Sequence, residues 1–241
     1  MEIQEDTLTD LIIVPGHGVC KAGLCTPSMA LLDSSWVGIF PGEGPSYVAH
    51  AEMGVHLAEE NASALLIFSG GQTREDAGPR SEAESYFEIA ENAGWWSTRT
   101  VRRRAIKEEY ARDSFENLLF GLALFRKTTK NWPNMVTVCG WKFKEKRYSL
   151  HRQALRWPKK NFGYVGVNNP VGDELPKALD GEKAKVDSVN RDLFLAGPEW
   201  LSQRELRDPF HRMHPYRGIH PSLDGLFDYL DRNTFAGKWP W

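Results

Sequence analysis

Short apolar runs that stop abruptly at glycine or proline, each followed by helical periodicity, constrain this chain more than any other feature. LTDLIIV, residues 8–14, stops at Pro15-Gly16. Residues 64–68 stop at Ser69-Gly70-Gly71, and residues 135–139 are closed by Gly140. Residues 105–108 and 162–167 complete the set. Runs of this length bounded by turn residues read as buried strands. Between them, Val48, Ala51, Val55 and Ala58 recur at spacings of three and four in a helix running from Ser46 or Tyr47 to Glu60. A second helix starts at Ser81, whose spacing to Glu84 is that of a capping box, and ends at Gly94. A third is capped by Asp113 or Ser114 and carries Phe115, Leu118, Leu119 and Leu122. Residues 143–157 form a fourth before Pro158, and 186–206 a last long one. Strands alternating with helices make an α/β protein with a mostly parallel sheet covered on both faces. Right-handed crossovers bring every strand's C-terminal end to one edge, where small-molecule sites collect.

The 241 residues fit one α/β domain over 1–206, with an aromatic-rich C-terminal extension, 207–241, packed on it. A net charge of -2 argues against a chain built to hold nucleic acid. Three cysteines make no disulfide framework and suit a reducing compartment. The start, MEIQEDTLTD, lacks a basic segment followed by an apolar one, and no stretch approaches a membrane span. The expected setting is cytoplasmic, and the expected state a monomer or homodimer with no membrane or nucleic-acid partner.

Polar residues gather at the expected sheet edge. The first strand ends in Gly16-His17-Gly18 and the second in Ser69, Gly70, Gly71, Gln72, Thr73 and Arg74. Consecutive amides in the Ser69-Gly70-Gly71 turn suit an anion nest, and the bland alternative is a turn that merely needs glycine. Glu82 and Glu108 each fall beside a strand end, and two carboxylates there suit a divalent metal, an activated water or an amine. The same Glu82 also fits the bland role of a carboxylate in a helix's first turn. Ser114 and Asn117 have cap spacing, and a helix start attracts anions. Lys144, Arg147 and His151, at spacings of three and four, share one helix face suited to an oxyanion. His17 and His151 are the candidate proton-transfer groups, with Glu82 and Glu108 the candidate activating carboxylates. The His17, Cys20, Cys25 group and the His211, His214, His220 group lack a zinc-ligand pattern. No serine has the nucleophile setting of an α/β-hydrolase.

The ordered set SGG at Ser69–Gly71, SEA at Ser81–Ala83, Glu108 with SFEN through Asn117, and Lys144, Arg147, His151 resembles the DUF218 family. That family is also described by its YdcF-like and SanA-like members, and the words FSGGQTR and YARDSFEN are similar to its eukaryotic, fungal-type soluble branch. The resemblance runs from Leu8 to Val167 and implies a Rossmann-like three-layer sandwich with a polar cleft. One bacterial relative is associated with S-adenosylmethionine, and the family brings no settled reaction. PGHG, with His17, departs from the family's first glycine-rich turn.

Three readings follow. The leading one is an enzyme acting by hydrolysis or group transfer on a small anionic metabolite, phosphorylated or nucleotide-like. The second is a non-catalytic module binding S-adenosylmethionine or a nucleotide. The third is an interaction protein using the aromatic tail that includes Trp200, Tyr216, Phe227, Tyr229, Trp239 and Trp241.

Overall fold

The computed structural model describes residues 7–232 and 234–241. The acidic start read above therefore lies mostly outside the described residues. Strand β1 is Asp10–Pro15, and β2 (Val19–Cys20) pairs with β3 (Trp36–Val37) in a small antiparallel ribbon. Then follow α1 (Gly44–Glu60), β4 (Ala64–Ser69), α2 (Glu82–Asn92), β5 (Ala105–Glu108), α3 (Ser114–Thr129), β6 (Met135–Gly140), α4 (Glu145–Ala154) and β7 (Phe162–Gly166). The chain continues through α5 (Glu174–Arg191), α6 (Pro198–Leu206) and α7 (Pro221–Phe227).

The five long strands form one parallel sheet in the order β5-β4-β1-β6-β7. The chain moves outward from β1 through β4 to β5, then crosses back to β6 on the other side. This order is the Rossmann-like one, and its reversal between β1 and β6 opens a crevice at the strands' C-terminal edge. Register aligns Pro15 with Ser69 and Ser69 with Glu108, so three predicted strand ends lie level.

Alternation along the strands divides the core. Ile12, Val14, Leu66 and Phe68 face α1 and α2, whereas Leu11, Ile13, Leu65, Ile67, Val136 and Val138 face α3 and α4. Each fully buried Leu, Ile, Val or Phe contributes about 1.5–3 kcal/mol of apolar burial. Two layers of helices on a sheet buried on both faces make the three-layer sandwich.

The segment after α6 joins the second of these layers. Tyr216 packs on Phe120 of α3, Leu223, Leu226 and Phe235 are buried in the same core cluster, and the Trp241 indole donates to Leu155 O at 2.9 Å.

Two helical expectations need correction. The last long helix, expected over 186–206, is two helices, α5 beginning at Glu174 and α6 at Pro198. The break is chemical. The Asp192 carboxylate accepts from the amides of Ala196 and Gly197, Leu195 takes a left-handed φ of 53°, and Pro198 then starts α6. The helix expected from Phe143 begins instead as a 3-10 turn, Lys142–Lys144, before α4. Lys144 therefore sits at the N-cap of α4, not on its body.

Candidate functional site

Capping chemistry fixes the helix starts that face the crevice. Ser81 Oγ accepts from Glu84 N at 2.8 Å and Asp113 from Glu116 N at 2.9 Å, each satisfying an otherwise free amide. These caps place Glu82 and Ser114 as the first residues of α2 and α3.

A cavity of about 380 Å³ lies at the crevice, inside the span of about 300–1,000 Å³ usual for small-molecule sites. Of the residues expected at a site, Gly16, His17, Arg74, Glu82, Ser114, Asn117, Lys144 and Arg147 line it. Gly18, Ser69, Gly70, Gly71, Gln72, Thr73, Glu108 and His151 do not, and each has a different local role.

The glycines after β4 do not present a nest of free amides. Gly70 N donates to Glu108 O at 2.9 Å and Gly71 N to Ala111 O at 2.7 Å. Their carbonyls receive Ala83 N and Glu82 N, so the turn splices β4 to the start of α2. What requires glycine is the approach of Glu82. A Cβ on Gly16 would lie 2.5 Å from Glu82 Cβ, and one on Gly70 2.7 Å from its Oε2. Gly16→Ala is therefore expected to cost about 1–3 kcal/mol by overpacking against a backbone-anchored atom. Chemical denaturation checks this, and Glu82→Ala should not rescue it, because the clashing Cβ remains. Gly18 makes room for Ile39, and Gln72 donates to Pro79 O within its own loop.

Glu82 is buried and faces the cavity, with Thr73 Oγ1 donating to its Oε1 at 2.5 Å. Burial raises its carboxyl pKa, against the hydrogen bond from Thr73 and the charges of Arg207, Arg74 and Lys144. Glu108 lies apart, fully buried behind the β4 end. It accepts from Ser69 Oγ, Tyr110 N, Ala111 N and the Tyr216 hydroxyl. Burial still pushes its carboxyl up to about 7. The two carboxylates thus serve separate networks. Among the described residues no three His, Cys, Asp or Glu side chains are grouped to hold a metal.

The cationic end of the cavity comes from α4 and the segments after it. Arg147 makes a two-pronged pair with Glu182 of α5, both contacts at 2.9 Å. Lys144 Nζ lies 3.3 Å from His17 Nδ1, half-buried, and burial followed by the charge of Arg147 brings its ammonium down to about 7. His17 stacks on Trp141 at 6.4 Å, and burial first, then Lys144, keeps its imidazole neutral. Its Nε2 is buried with no hydrogen-bond partner among the described residues.

Lysine 144, Arg147 and His151 share one side of α4, but at different depths. His151 is fully buried, beneath the cavity wall, with Nε2 2.8 Å from Ser114 Oγ. Burial and Arg147 lower its pKa to about 3. A neutral imidazole there fixes the Ser114 hydroxyl and is a weak base. Asn117 donates to Ser69 O and Oγ, tying α3 to β4.

Sequence reasoning missed Glu43, Lys185 and Arg207, which also line the cavity. Arg207 is delivered by α6, which docks through Arg204 on Asp113 at 2.6 Å, and its Nη1 donates to Arg112 O at 2.9 Å. Lys185 lies over the Trp200 ring at 5.3 Å. Glu174, Ala178, Gly181, Glu182 and Lys185 recur at helical spacing on the inner face of α5. That periodicity was the available signal. Among the described residues, Arg74, Lys144, Lys185 and Arg207 have no carboxylate within salt-bridge distance. Three unpaired cations, Arg74, Lys185 and Arg207, and the partly deprotonated Lys144 thus share the cavity with Glu43 and Glu82, which among the described residues also have no cationic partner at that distance.

Fold and cavity together define a Rossmann-like α/β protein with a cation-rich crevice at the point where strand order reverses. The chain is similar to the uncharacterized protein YOR238W of Saccharomyces cerevisiae, 26% identical over 265 residues, covering 88% of this chain and 87% of that protein. No family model matches the chain. No solved structure matches it either. No helix among the described residues is long and apolar enough to cross a membrane.

Proposed function

We propose that the cavity binds a small anionic metabolite, phosphorylated or nucleotide-like, and acts on it by hydrolysis or group transfer. The observation that carries this reading is the set of unpaired cations, Arg74, Lys185 and Arg207, in a partly desolvated crevice. Burying charge without a partner is costly, and an anionic ligand offsets that cost. Held cations also stabilise charge that develops on departing oxygens.

Glu82 is the group placed to activate water. It faces the cavity, its Oε1 is held by Thr73, and its carboxyl is raised toward the working range of a general base. His17, its pKa lowered by burial and its ring beside Lys144, is the second candidate for proton transfer. Ser114, held by His151, offers a hydroxyl to the ligand.

A panel of phosphorylated metabolites, assayed for phosphate release and for transfer to added acceptors, tests the reading. Turnover of at least one member is expected, with Glu82→Gln lowering it about a hundredfold, the scale of general base catalysis. Turnover that survives Glu82→Gln unchanged removes Glu82 from that role.

A second reading is a nucleotide- or S-adenosylmethionine-binding module without turnover. Its specific support is the ring-bearing wall of Phe40, Trp141 and Phe143, flat surfaces on which a nucleobase stacks. Binding of adenosine ligands without any product favours it.

A further inference from the structure

We propose that Lys144 is a nucleophilic amine, and that the cavity's ligands include anionic carbonyl compounds captured on it as imines. The anionic half of this statement rests on the function proposed above; the amine half rests on Lys144 alone.

Most lysines in proteins are hydrated ammonium groups and poor nucleophiles. A lysine becomes reactive when it is desolvated or set beside another cation. Lys144 meets both conditions. It is half-buried on the cavity wall, one turn from Arg147, with its Nζ 5.7 Å from the Phe143 ring centroid. Its hydrogen-bond partner is the imidazole of His17, not a carboxylate.

The charged and titratable groups facing it come from every side. His17 follows β1, Glu43 precedes α1, and His50 lies on α1. Glu82 approaches from α2, Glu182 from α5, and Arg147 and Arg207 add positive charge. Among the described residues none of these carboxylates reaches salt-bridge distance of Nζ. Glu182 is already engaged by Arg147, and Glu43 accepts from the Tyr47 hydroxyl at 2.5 Å. Burial, followed by Arg147, therefore outweighs Glu182 and Glu43, and the ammonium is brought down to about 7. At neutral pH a large fraction of Lys144 is free amine, whereas an exposed lysine is almost wholly protonated.

The step balances without a redox partner. The Nζ lone pair forms a bond to the carbonyl carbon, giving a carbinolamine. The carbon–oxygen bond then breaks, and the oxygen leaves as water with the two amine hydrogens. Arg207, Lys185 and Arg74 hold the ligand's anionic group, raising the effective concentration of the carbonyl at Nζ.

The test uses the full chain and pyridoxal 5′-phosphate, a phosphate-bearing aldehyde, with sodium borohydride to reduce the imine to a stable secondary amine. Peptide mass spectrometry maps the label from pH 5 to 10. One dominant label at Lys144 is expected, half-maximal near pH 7, absent in Lys144→Arg, and at least tenfold slower with pyridoxal, which lacks the phosphate. Lys144→Arg should keep the wild-type melting temperature. Label spread over exposed lysines such as Lys142 and Lys177, with Lys144 no more reactive than they are, overturns the proposal. Selective labelling that is equally fast with pyridoxal keeps the amine but removes the anionic ligand class. Stabilisation of the fold by inorganic pyrophosphate without Lys144 labelling does the reverse: it keeps the anion site and overturns the amine.

Discussion

Arg147→Ala destabilises the protein by about 3–5 kcal/mol, the cost of leaving one partner of a buried ion pair uncompensated. Arg147 and Glu182 are 8% and 7% exposed, and their two contacts are both 2.9 Å. Removing the guanidinium leaves Glu182 facing the cavity with no cation within salt-bridge distance among the described residues. Glu182→Ala should cost a comparable amount, because both side chains are equally buried and both line the cavity. Replacing both, as Arg147→Met with Glu182→Leu, should recover most of the loss, since an apolar pair of similar volume avoids both desolvation costs. A double-mutant cycle by urea denaturation checks this, with a coupling energy well above about 1 kcal/mol expected. A coupling near zero means that the pair does not hold α5 against α4. The consequence reaches the site, because the inner face of α5 forms one wall of the cavity.

The second large effect is a dependence of stability on pH centred on Glu108. Its folded carboxyl is raised to about 7 because it is fully buried, against four donated hydrogen bonds. A raised folded pKa means that the native state holds the proton more tightly than the unfolded chain does. The contribution is therefore fully present below the unfolded carboxyl's pKa of about 4.3, falls as pH rises above it, and is lost as pH passes through 7. The span amounts to about 4 kcal/mol at most. Glu108→Gln keeps acceptors for Tyr110 N and the Tyr216 hydroxyl and removes the titration. In denaturation from pH 5 to 8 the wild type should lose stability relative to this variant, on top of the rise that the lowered pKa values of His17 and His151 give both proteins. A constant difference between the two curves would place the titrating group elsewhere. Tyr216 comes from the segment after α6, so the loosened region should include that segment.

What the sequence disclosed was mainly local. Ser81 was legible as a cap, and Asp113 as one of two alternatives with Ser114, because a cap is a contact between residues three apart. The strand ends were legible because apolar runs stop at Pro15, Ser69 and Gly140. The purpose of the glycines was not. Gly16 and Gly70 marked a close approach, but the approaching group is Glu82, brought there by the fold of α2 onto two strand ends. The broken helix at Asp192 was hidden because the apolar spacing of Val186, Val189, Phe194 and Trp200 continues across the break. Lys144, Arg147 and His151 were read as one face, yet the crossing of α3 beneath α4 puts His151 on Ser114 and leaves only the first two in the cavity. Lys185 was signalled only by the helical spacing along α5 and Arg207 by nothing local, since they reach the crevice only when α5 and α6 pack over its rim.

The unpaired cations carry the functional account, and a calorimetric titration with inorganic pyrophosphate addresses them most directly. Wild type should bind one equivalent saturably, with affinity falling as salt is added. Arg207→Ala, which removes a cavity cation outside the sheet core, should weaken binding at least tenfold, a loss of about 1.4 kcal/mol. Absence of saturable heat in the wild type, or equal affinity in the variant, contradicts an anion site at this crevice.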